Sequence, residues 1–421
     1  MTDPKSFLAS LFKAAVDAAD PVRCLGAFLP EEPKGRTVVI GAGKGAAQLA
    51  RAFENQWKGP LTGTVVTRYG YAVPCERIEV LEAAHPVPDE AGLAATERLF
   101  ERVAGLGADD LVVALICGGG SSLLPAPPQG LGLDDEIALN QALLASGAPI
   151  SAMNAIRKHV SRVKGGRLAA AASPARVVSL VVSDIPGDDP ALVASGPTVP
   201  DAAGRQDALT AIARYGISLP DAVMAHIADP ASEAPRPEDP AFARNETHIV
   251  ASAALSLDAA ATEARRLGVP AVILSDSVEG EARESAHLHA AIAREIARRN
   301  RPFEAPVVLL SGGETTVTLK GSGKGGRNSE FALSLGLDLD GFTGIHALAA
   351  DTDGIDGSET NAGAFADGTT VVRLREHGLD AAAMLAANDA WSAFDAVGDL
   401  FVTGPTGTNV NDFRAILVER R

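Results

Sequence analysis

Leu111-Val112-Val113-Ala114-Leu115-Ile116 runs straight into Cys117-Gly118-Gly119-Gly120-Ser121-Ser122. An unbroken apolar run of this length reads as a buried strand, of the kind found in parallel sheets. The glycines that follow make a bare backbone bend, whose amide hydrogens are free to face an anion. Two other runs are built the same way. Thr37-Val38-Val39-Ile40 enters Gly41-Ala42-Gly43-Lys44-Gly45, and Val307-Val308-Leu309-Leu310 enters Ser311-Gly312-Gly313-Glu314-Thr315. Open α/β sheets seat their ligands at this carboxyl edge of the strands.

Working outward, strand and helix signals alternate with short turns. Strands are expected at 37–40, 62–67, 77–81, 111–116 and 177–183, and helices at 44–56, 89–104, 135–146 and 151–172. The run Asp229 to Pro240 carries four prolines and several charges, which oppose helix and burial, so it reads as a linker. Beyond it the alternation resumes, with strands at 247–252, 270–274 and 306–310 and helices at 255–267 and 280–299. Short strands at 315–319 and 344–349 flank a helix at 327–335. The fold class is therefore α/β with two domains, a mostly parallel Rossmann-like sheet flanked by helices in 1–235 and a second α/β domain in 245–421. A length of 421 residues also exceeds one core of ordinary size.

A net charge of −16 opposes nucleic acid, which needs a basic footprint. No apolar stretch is long enough for a membrane span. Phe7, Leu8, Leu11, Phe12, Ala15, Val16 and Ala19 recur at helical period, which gives an amphipathic helix rather than a signal peptide. Cys24, Cys75 and Cys117 have no metal-ligand spacing, consistent with a reducing, cytoplasmic setting.

Gly41 to Ala46 fits the loose dinucleotide pattern G-x-G-x-x-A, but the acidic residue expected after the next strand is replaced by Arg68. A phosphate loop of the G-x-x-x-x-G-K-[ST] type cannot be aligned there. What stands out is Lys44, a cation placed to neutralise a transferring phosphoryl group. Gly118, Gly119, Gly120, Ser121 and Ser122 supply an anion nest. The helix carrying Arg157, Lys158, Arg162 and Lys164 is the densest cationic patch. Its last-turn cations suit the helix dipole, with Gly165-Gly166 as a cap, and part of it is left to face an anionic substrate. Asp184-Ile185-Pro186-Gly187-Asp188-Asp189 and Asp351-Thr352-Asp353-Gly354 place carboxylates at strand ends, as Mg²⁺ beside phosphate requires. Each of these aspartates also suits a plain Asx turn. Arg327 adds a permanent cationic fork ahead of a helix start, and the hydroxyl-rich loop 403–412 offers Thr406 and Asn409.

Taken in order along the chain, these motifs resemble the glycerate 2-kinase family, whose C-terminal half is called the MOFRL domain. The resemblance rests on Gly41-Ala42-Gly43-Lys44, Cys117 to Ser122, Arg157-Lys158-His159 with Lys164-Gly165-Gly166, and Asp184 to Pro190. It continues through Ser195-Gly196-Pro197-Thr198, Ser311 to Thr315, Gly325-Gly326-Arg327-Asn328, Asp351 to Gly354 and Gly404 to Asn409. It implies ATP-dependent phosphorylation of the 2-hydroxyl of D-glycerate, with Mg²⁺, in a cleft between two α/β domains, the second of MOFRL type. Lys44 and Arg327 are the expected catalytic cations, and Asp189 and Asp351 the expected metal ligands or orienting groups. Gly43, Gly118, Gly119, Gly120, Ser121, Ser122, Gly312, Gly313, Glu314, Thr406 and Asn409 are the expected cofactor contacts. Members of this family have also been labelled hydroxypyruvate reductase. An NAD(P)H-dependent reductase and a non-catalytic nucleotide-binding regulator therefore remain open alternatives, as do monomer and homodimer.

Overall fold

The computed structural model describes residues 3–420, which divide into two compact units, Pro21–Val250 and Met1–Asp20 with Ala251–Arg421. Among the described residues no helix is long and apolar enough to cross a membrane.

The Pro21–Val250 unit is built on a six-stranded sheet. Its strands are β1 (Thr37–Ala42), β2 (Thr62–Arg68), β3 (Ile78–Ala83), β4 (Leu111–Cys117), β5 (Arg176–Val182) and β6 (Glu246–Ala251). They lie in the order β3-β2-β1-β4-β5-β6, and every pairing from β3 to β5 is parallel. Every residue of β4 is buried, as its uniform apolarity requires of a central strand covered on both faces. The helices Ala46–Gln56 and Glu90–Val103 supply part of that cover, and Leu99 and Val103 pack with Val38, Ile40 and Val112 in one core.

The second sheet is formed by β7 (Ala271–Ser275), β9 (Val307–Gly313), β11 (Ile345–Asp351), β12 (Gly363–Asp367), β13 (Leu400–Phe401) and β14 (Asp412–Val418), with β8 (Gly280–Glu281) and β10 (Thr315–Thr316) pairing separately. Its order is β13-β12-β11-β14-β9-β7. Only β7 and β9 run parallel. β9 with β14, β14 with β11, β11 with β12 and β12 with β13 are antiparallel. No helix separates β11 from β12, so the chain has no crossover to carry it back to the starting edge, and it returns antiparallel.

Three expectations from the sequence change here. The first helix, Pro4–Ala19, packs on the helix Ala253–Arg266 and belongs with the C-terminal segment, not with the domain that follows it in the chain. Phe7, Leu8, Leu11 and Phe12 share a core with Leu257, Ala260, Leu310 and Phe413, and the Phe12 ring meets Phe401 edge-on at 5.0 Å. The strand expected at 247–252 is β6, an edge of the first sheet. The proline-rich run 229–240 is accordingly no linker but a surface segment of the first unit. It forms two short 3₁₀ turns, and Arg167 grips it by donating to the carbonyls of Ser232 and Glu233.

Truncating Phe12 removes a buried ring from the second core alone. Phe12→Ala is expected to lower stability by about 3–5 kcal/mol. In urea melts the loss should appear in the fluorescence transition of Trp391 (measured with Trp57→Phe as background) and not in that of Trp57 (measured with Trp391→Phe).

Candidate functional site

At the carboxyl tips of β1 and β4 the two glycine bends meet, and they do different work. The amides of the first are consumed by the protein. Gly43 N donates to Val66 O (3.1 Å), Lys44 N to Gly118 O (2.8 Å), Gly45 N to the Cys117 thiol (3.2 Å) and Ala46 N to Gly43 O (3.1 Å). What this bend offers outward is the Lys44 side chain, half-buried and without an ion pair among the described residues. The second bend keeps its donors: among the described residues no backbone acceptor takes the N–H of Gly118, Gly119 or Gly120.

Each of those three glycines is required by a different neighbour. A Cβ on Gly118 would lie 1.8 Å from Asp184 Oδ2. One on Gly119, whose φ is +79°, would lie 3.0 Å from both His85 Nε2 and Lys44 Cγ. One on Gly120 would sit 2.7 Å from the Ala194 methyl. The missing side chains thus let a carboxylate, an imidazole and an ammonium stem close round one strand tip. Ser121 and Ser122 are tied locally, Ser121 to the Ser195 hydroxyl (2.9 Å) and Ser122 to Gly119 O (3.2 Å). Cys117 is buried and its thiol is pushed up to about 12 by that burial, so it is a neutral packing group and not a nucleophile.

Asp189 lies on the loop after β5, exposed, and accepts one hydrogen bond, from Ala191 N at 3.0 Å. Asp184 is the carboxylate at the strand tip itself. The sequence quotes both in one motif, and only the clash at Gly118 tells them apart.

The cationic segment that follows is internal. Its expected single helix, 151–172, breaks into Ile150–Arg157, a 3₁₀ turn and Arg167–Ala172, and Gly165 and Gly166 open the last helix at φ values of +63° and +81° instead of closing the first. Lys158 pairs with Asp201 and Lys164 with Glu136 at 2.6 Å, both lysines buried. Arg157 donates to Asn140 and Asn154, and Arg162 reaches Glu97 and Pro127 O. None of this patch is left over for a substrate.

A second cluster occupies the other unit, where the ends of β9 and β11 meet the start of β14. Arg327 sits at the start of the helix Arg327–Asp338 and donates through Nε to Asp412 Oδ1 (2.6 Å) and through Nη2 to Asp351 Oδ2 (2.7 Å). Asp412 also accepts from Asn328 Nδ2 (2.8 Å), Thr315 N (3.1 Å) and the fully buried Arg414. Burial opposes the charge of Arg327, but Asp412 and then Asp351 outweigh it and hold the guanidinium more firmly protonated than usual. Burial pushes Asp351 well above the usual carboxylate range; Arg327 pulls it back, while Asp353 and Asp412 add to the rise. Asp412 is also buried, yet Arg414 and then Arg327 bring it down. The helix start has its own counter-charge, since Asp356 accepts from Asn328 N (2.9 Å) and Ser329 N (2.7 Å).

Gly312 and Gly313 close β9, and a Cβ on Gly313 would strike Val278 N at 2.3 Å. Glu314 is exposed and 3.6 Å from Arg327. Thr406 and Asn409 serve the loops: Thr406 Oγ1 donates to Thr352 O (2.6 Å), and Asn409 Oδ1 accepts from Asn411 N (3.0 Å). Arg414 was not legible as a site residue, although a charged residue inside an otherwise apolar strand, Asp412-Phe413-Arg414-Ala415-Ile416, is a usable signal. His85 was missed as well, in a turn that no glycine marks.

Among the described residues no group of three or more His, Cys, Asp or Glu is arranged to hold a metal. Asp351 suits one poorly, because Oδ2 is taken by Arg327 and Oδ1 by Asp353 N at 3.1 Å. Asp189 keeps an open oxygen toward solvent.

Residues 7–228 match the domain of unknown function DUF4147, and residues 307–412 match the MOFRL family. The chain is 40% identical over 418 residues to D-glycerate 2-kinase of Thermotoga maritima, covering 98% of each. It is 52% identical over 417 residues, 98% of this chain and 94% of the other, to an Agrobacterium vitis protein provisionally assigned as a hydroxypyruvate reductase. The crystal structure of glycerate kinase from Thermotoga maritima superposes with a TM-score of 0.90 at 39% identity, covering 98% of this chain and 99% of that one.

If the buried cations are structural, breaking one pair and removing it altogether must differ. Glu136→Gln is expected to cost about 3–5 kcal/mol, because it leaves Lys164 buried and unpaired. The double change Glu136→Gln with Lys164→Met should recover most of that in urea melts and keep the KM values for both substrates. A folded double variant with a raised KM would assign Lys164 to substrate instead.

Proposed function

This chain belongs to the glycerate 2-kinase family, and from that premise we infer how its two clusters divide the work of moving the γ-phosphoryl group of ATP to the 2-hydroxyl of D-glycerate. The observation that carries the reading is the β4 tip, where three consecutive amides stand beside a lysine and, among the described residues, the amides have no backbone acceptor and the lysine no counter-ion. Phosphoryl transfer asks a protein for positioning and charge neutralisation more than for covalent chemistry. Gly118, Gly119 and Gly120 hold an anionic group through their amides, and Lys44 neutralises charge developing on the transferring group. Arg327 supplies a second, permanent charge. Its clamp between Asp412 and Asp351 fixes the guanidinium before substrate arrives, so little reorganisation is needed at the moment of reaction.

Asp184 is better placed than Asp189 to orient the acceptor hydroxyl, because it lies against the same strand tip as Lys44. The 2-hydroxyl proton then has a carboxylate to turn toward. A Mg²⁺ ion fits this chain if it arrives largely ligated by phosphate oxygens and water, which is its habit, and needs only one protein carboxylate. Asp189, exposed and with one oxygen open, fits that role; the metal's contribution is to neutralise the phosphates.

The name carried by the Agrobacterium vitis relative favours a second reading, a reductase using NAD(P)H. Against it stands the use made of 43–46. In a dinucleotide fold that loop gives its backbone to the pyrophosphate, whereas here Gly43, Lys44, Gly45 and Ala46 have spent their amides inside the protein.

Purified protein with D-glycerate, ATP and Mg²⁺ should release ADP and give a product whose phosphorus resonance is that of a 2-phosphate. NADPH oxidation on hydroxypyruvate without ADP release would transfer the assignment to the reductase. Lys44→Ala and Arg327→Ala are each expected to lower kcat about 10²–10³-fold while circular dichroism stays native. Survival of turnover in both would remove their assigned roles. Asp184→Asn should lower kcat at least about tenfold, whereas Asp189→Asn should mainly raise the Mg²⁺ concentration needed for half-maximal rate.

A further inference from the structure

His85 follows β3 in the run Ala84-His85-Pro86-Val87-Pro88, a stretch that no part of the reaction described above uses. Its imidazole comes to the β4 tip, with Nε2 3.0 Å from the point where a Gly119 Cβ would stand, on the side where Lys44 Cγ is equally close. The ring is half-buried, and among the described residues neither nitrogen has a hydrogen-bond partner. Neither nitrogen is among the buried unpartnered side-chain atoms, so both stay open to solvent and a ligand oxygen can take the place of water there. Position beside Lys44 and access from outside together make the ring available to a ligand at this strand tip.

We propose that His85 contacts the substrate anion directly, donating an imidazole N–H to the same anionic oxygens that the Gly118–Gly120 amides and Lys44 receive. The proposal rests on reading that strand tip as the anion site. The shared chemistry is an anionic oxygen, and it comes from one of two sources, the carboxylate of the hydroxy acid or a phosphate of the nucleotide. A neutral imidazole has one N–H to give and one lone pair to keep. Burial first, then Lys44, then Arg68 lower the ring's pKa to about 4, so it is neutral in the working range. A neutral donor adds a directed hydrogen bond to the site without adding a third positive charge beside Lys44 and Arg68. The need for Gly119 follows from the same arrangement, since any side chain there would fill the space between ring and ammonium stem.

The test compares His85→Ala, His85→Gln and Lys44→Ala by calorimetric titration with D-glycerate alone and with a non-hydrolysable ATP analogue alone. His85→Ala should weaken one of the two ligands about tenfold or more, as expected for a hydrogen bond to a charged group. The ligand affected names the source. His85→Gln, which keeps an N–H donor at similar reach, should recover most of that loss. In parallel, the His85 ring resonance, identified among the eight histidines by its disappearance in His85→Gln, should move on addition of the same ligand to the native enzyme. If Lys44→Ala leaves both affinities unchanged, the strand tip is not the anion site, and the role of His85 falls with it. If Lys44→Ala weakens binding but His85→Ala does not and the ring resonance stays still, the site stands and His85 has no part in it. Should His85→Ala fail to fold, His85→Gln and the resonance shift decide the matter alone.

Discussion

The strand tip at Cys117-Gly118-Gly119-Gly120 is the constraint on which the rest of the first unit turns. A parallel sheet can bring several strand ends to one edge, but side chains normally keep those ends apart. Here three consecutive residues have none, and Asp184 from the end of β5, Lys44 from the end of β1 and His85 from the end of β3 close in on the vacated space. The cost is chain entropy, roughly 0.5–1 kcal/mol for each glycine relative to alanine, and a single methyl at Gly118 would collide with a carboxylate at 1.8 Å. The consequence is that a carboxylate, an ammonium stem and an imidazole share one corner of backbone.

The second unit solves a different problem, that of keeping a buried guanidinium in place. Arg327 is surrounded by carboxylates whose own burial would ordinarily favour their protonated forms. Arg414 changes that balance. By pairing with Asp412 from within the strand, it keeps one carboxylate charged and leaves Asp351 the group most ready to hold a proton. Asp356, meanwhile, takes the amides at the head of the Arg327 helix, so the helix start is held by the protein itself. The polar loops at 351–357 and 403–411 are stitched together by Thr352, Thr406 and the contact of Gly354 with Gly404, where a Cβ would meet the carbonyl at 2.1 Å. Their hydroxyls serve the frame that holds Arg327.

Much of this was readable from the chain. Uniform apolar runs gave β1, β4 and β9 because a strand covered on both faces has no polar face to show, and the glycines after them marked where those strands bend. Lys44 and Arg327 stood out because glycine surrounds them. The reading failed where long-range packing decides. A helical stripe at Phe7, Leu8, Leu11 and Phe12 declares a buried face but not what buries it, and its partner lies some 240 residues away at Leu257 and Ala260. Prolines at 230, 235, 237 and 240 suggest a linker when they merely shape turns that Arg167 then fastens. The cations at 157–167 looked available because their partners, Asp201, Glu136 and Glu97, are distant in sequence.

That last failure explains how an acidic protein comes to manage an anionic substrate. With 53 acidic residues against 37 lysines and arginines, a typical cation finds a carboxylate, as Lys158, Arg162 and Lys164 do, while Arg157 and Arg167 are taken up by amide and carbonyl oxygens. A cation stays available only where the fold denies it a partner. At Lys44 the preceding bend has turned its own amides inward and the adjoining bend presents bare N–H groups, so the surroundings are already donors. The nearest carboxylate at that strand tip, Asp184, sits against Gly118, while Gly119 lets Lys44 lie next to a ring kept neutral by its burial first and by Lys44 second. The availability of that one ammonium is therefore a property of three glycines and a histidine more than of the lysine.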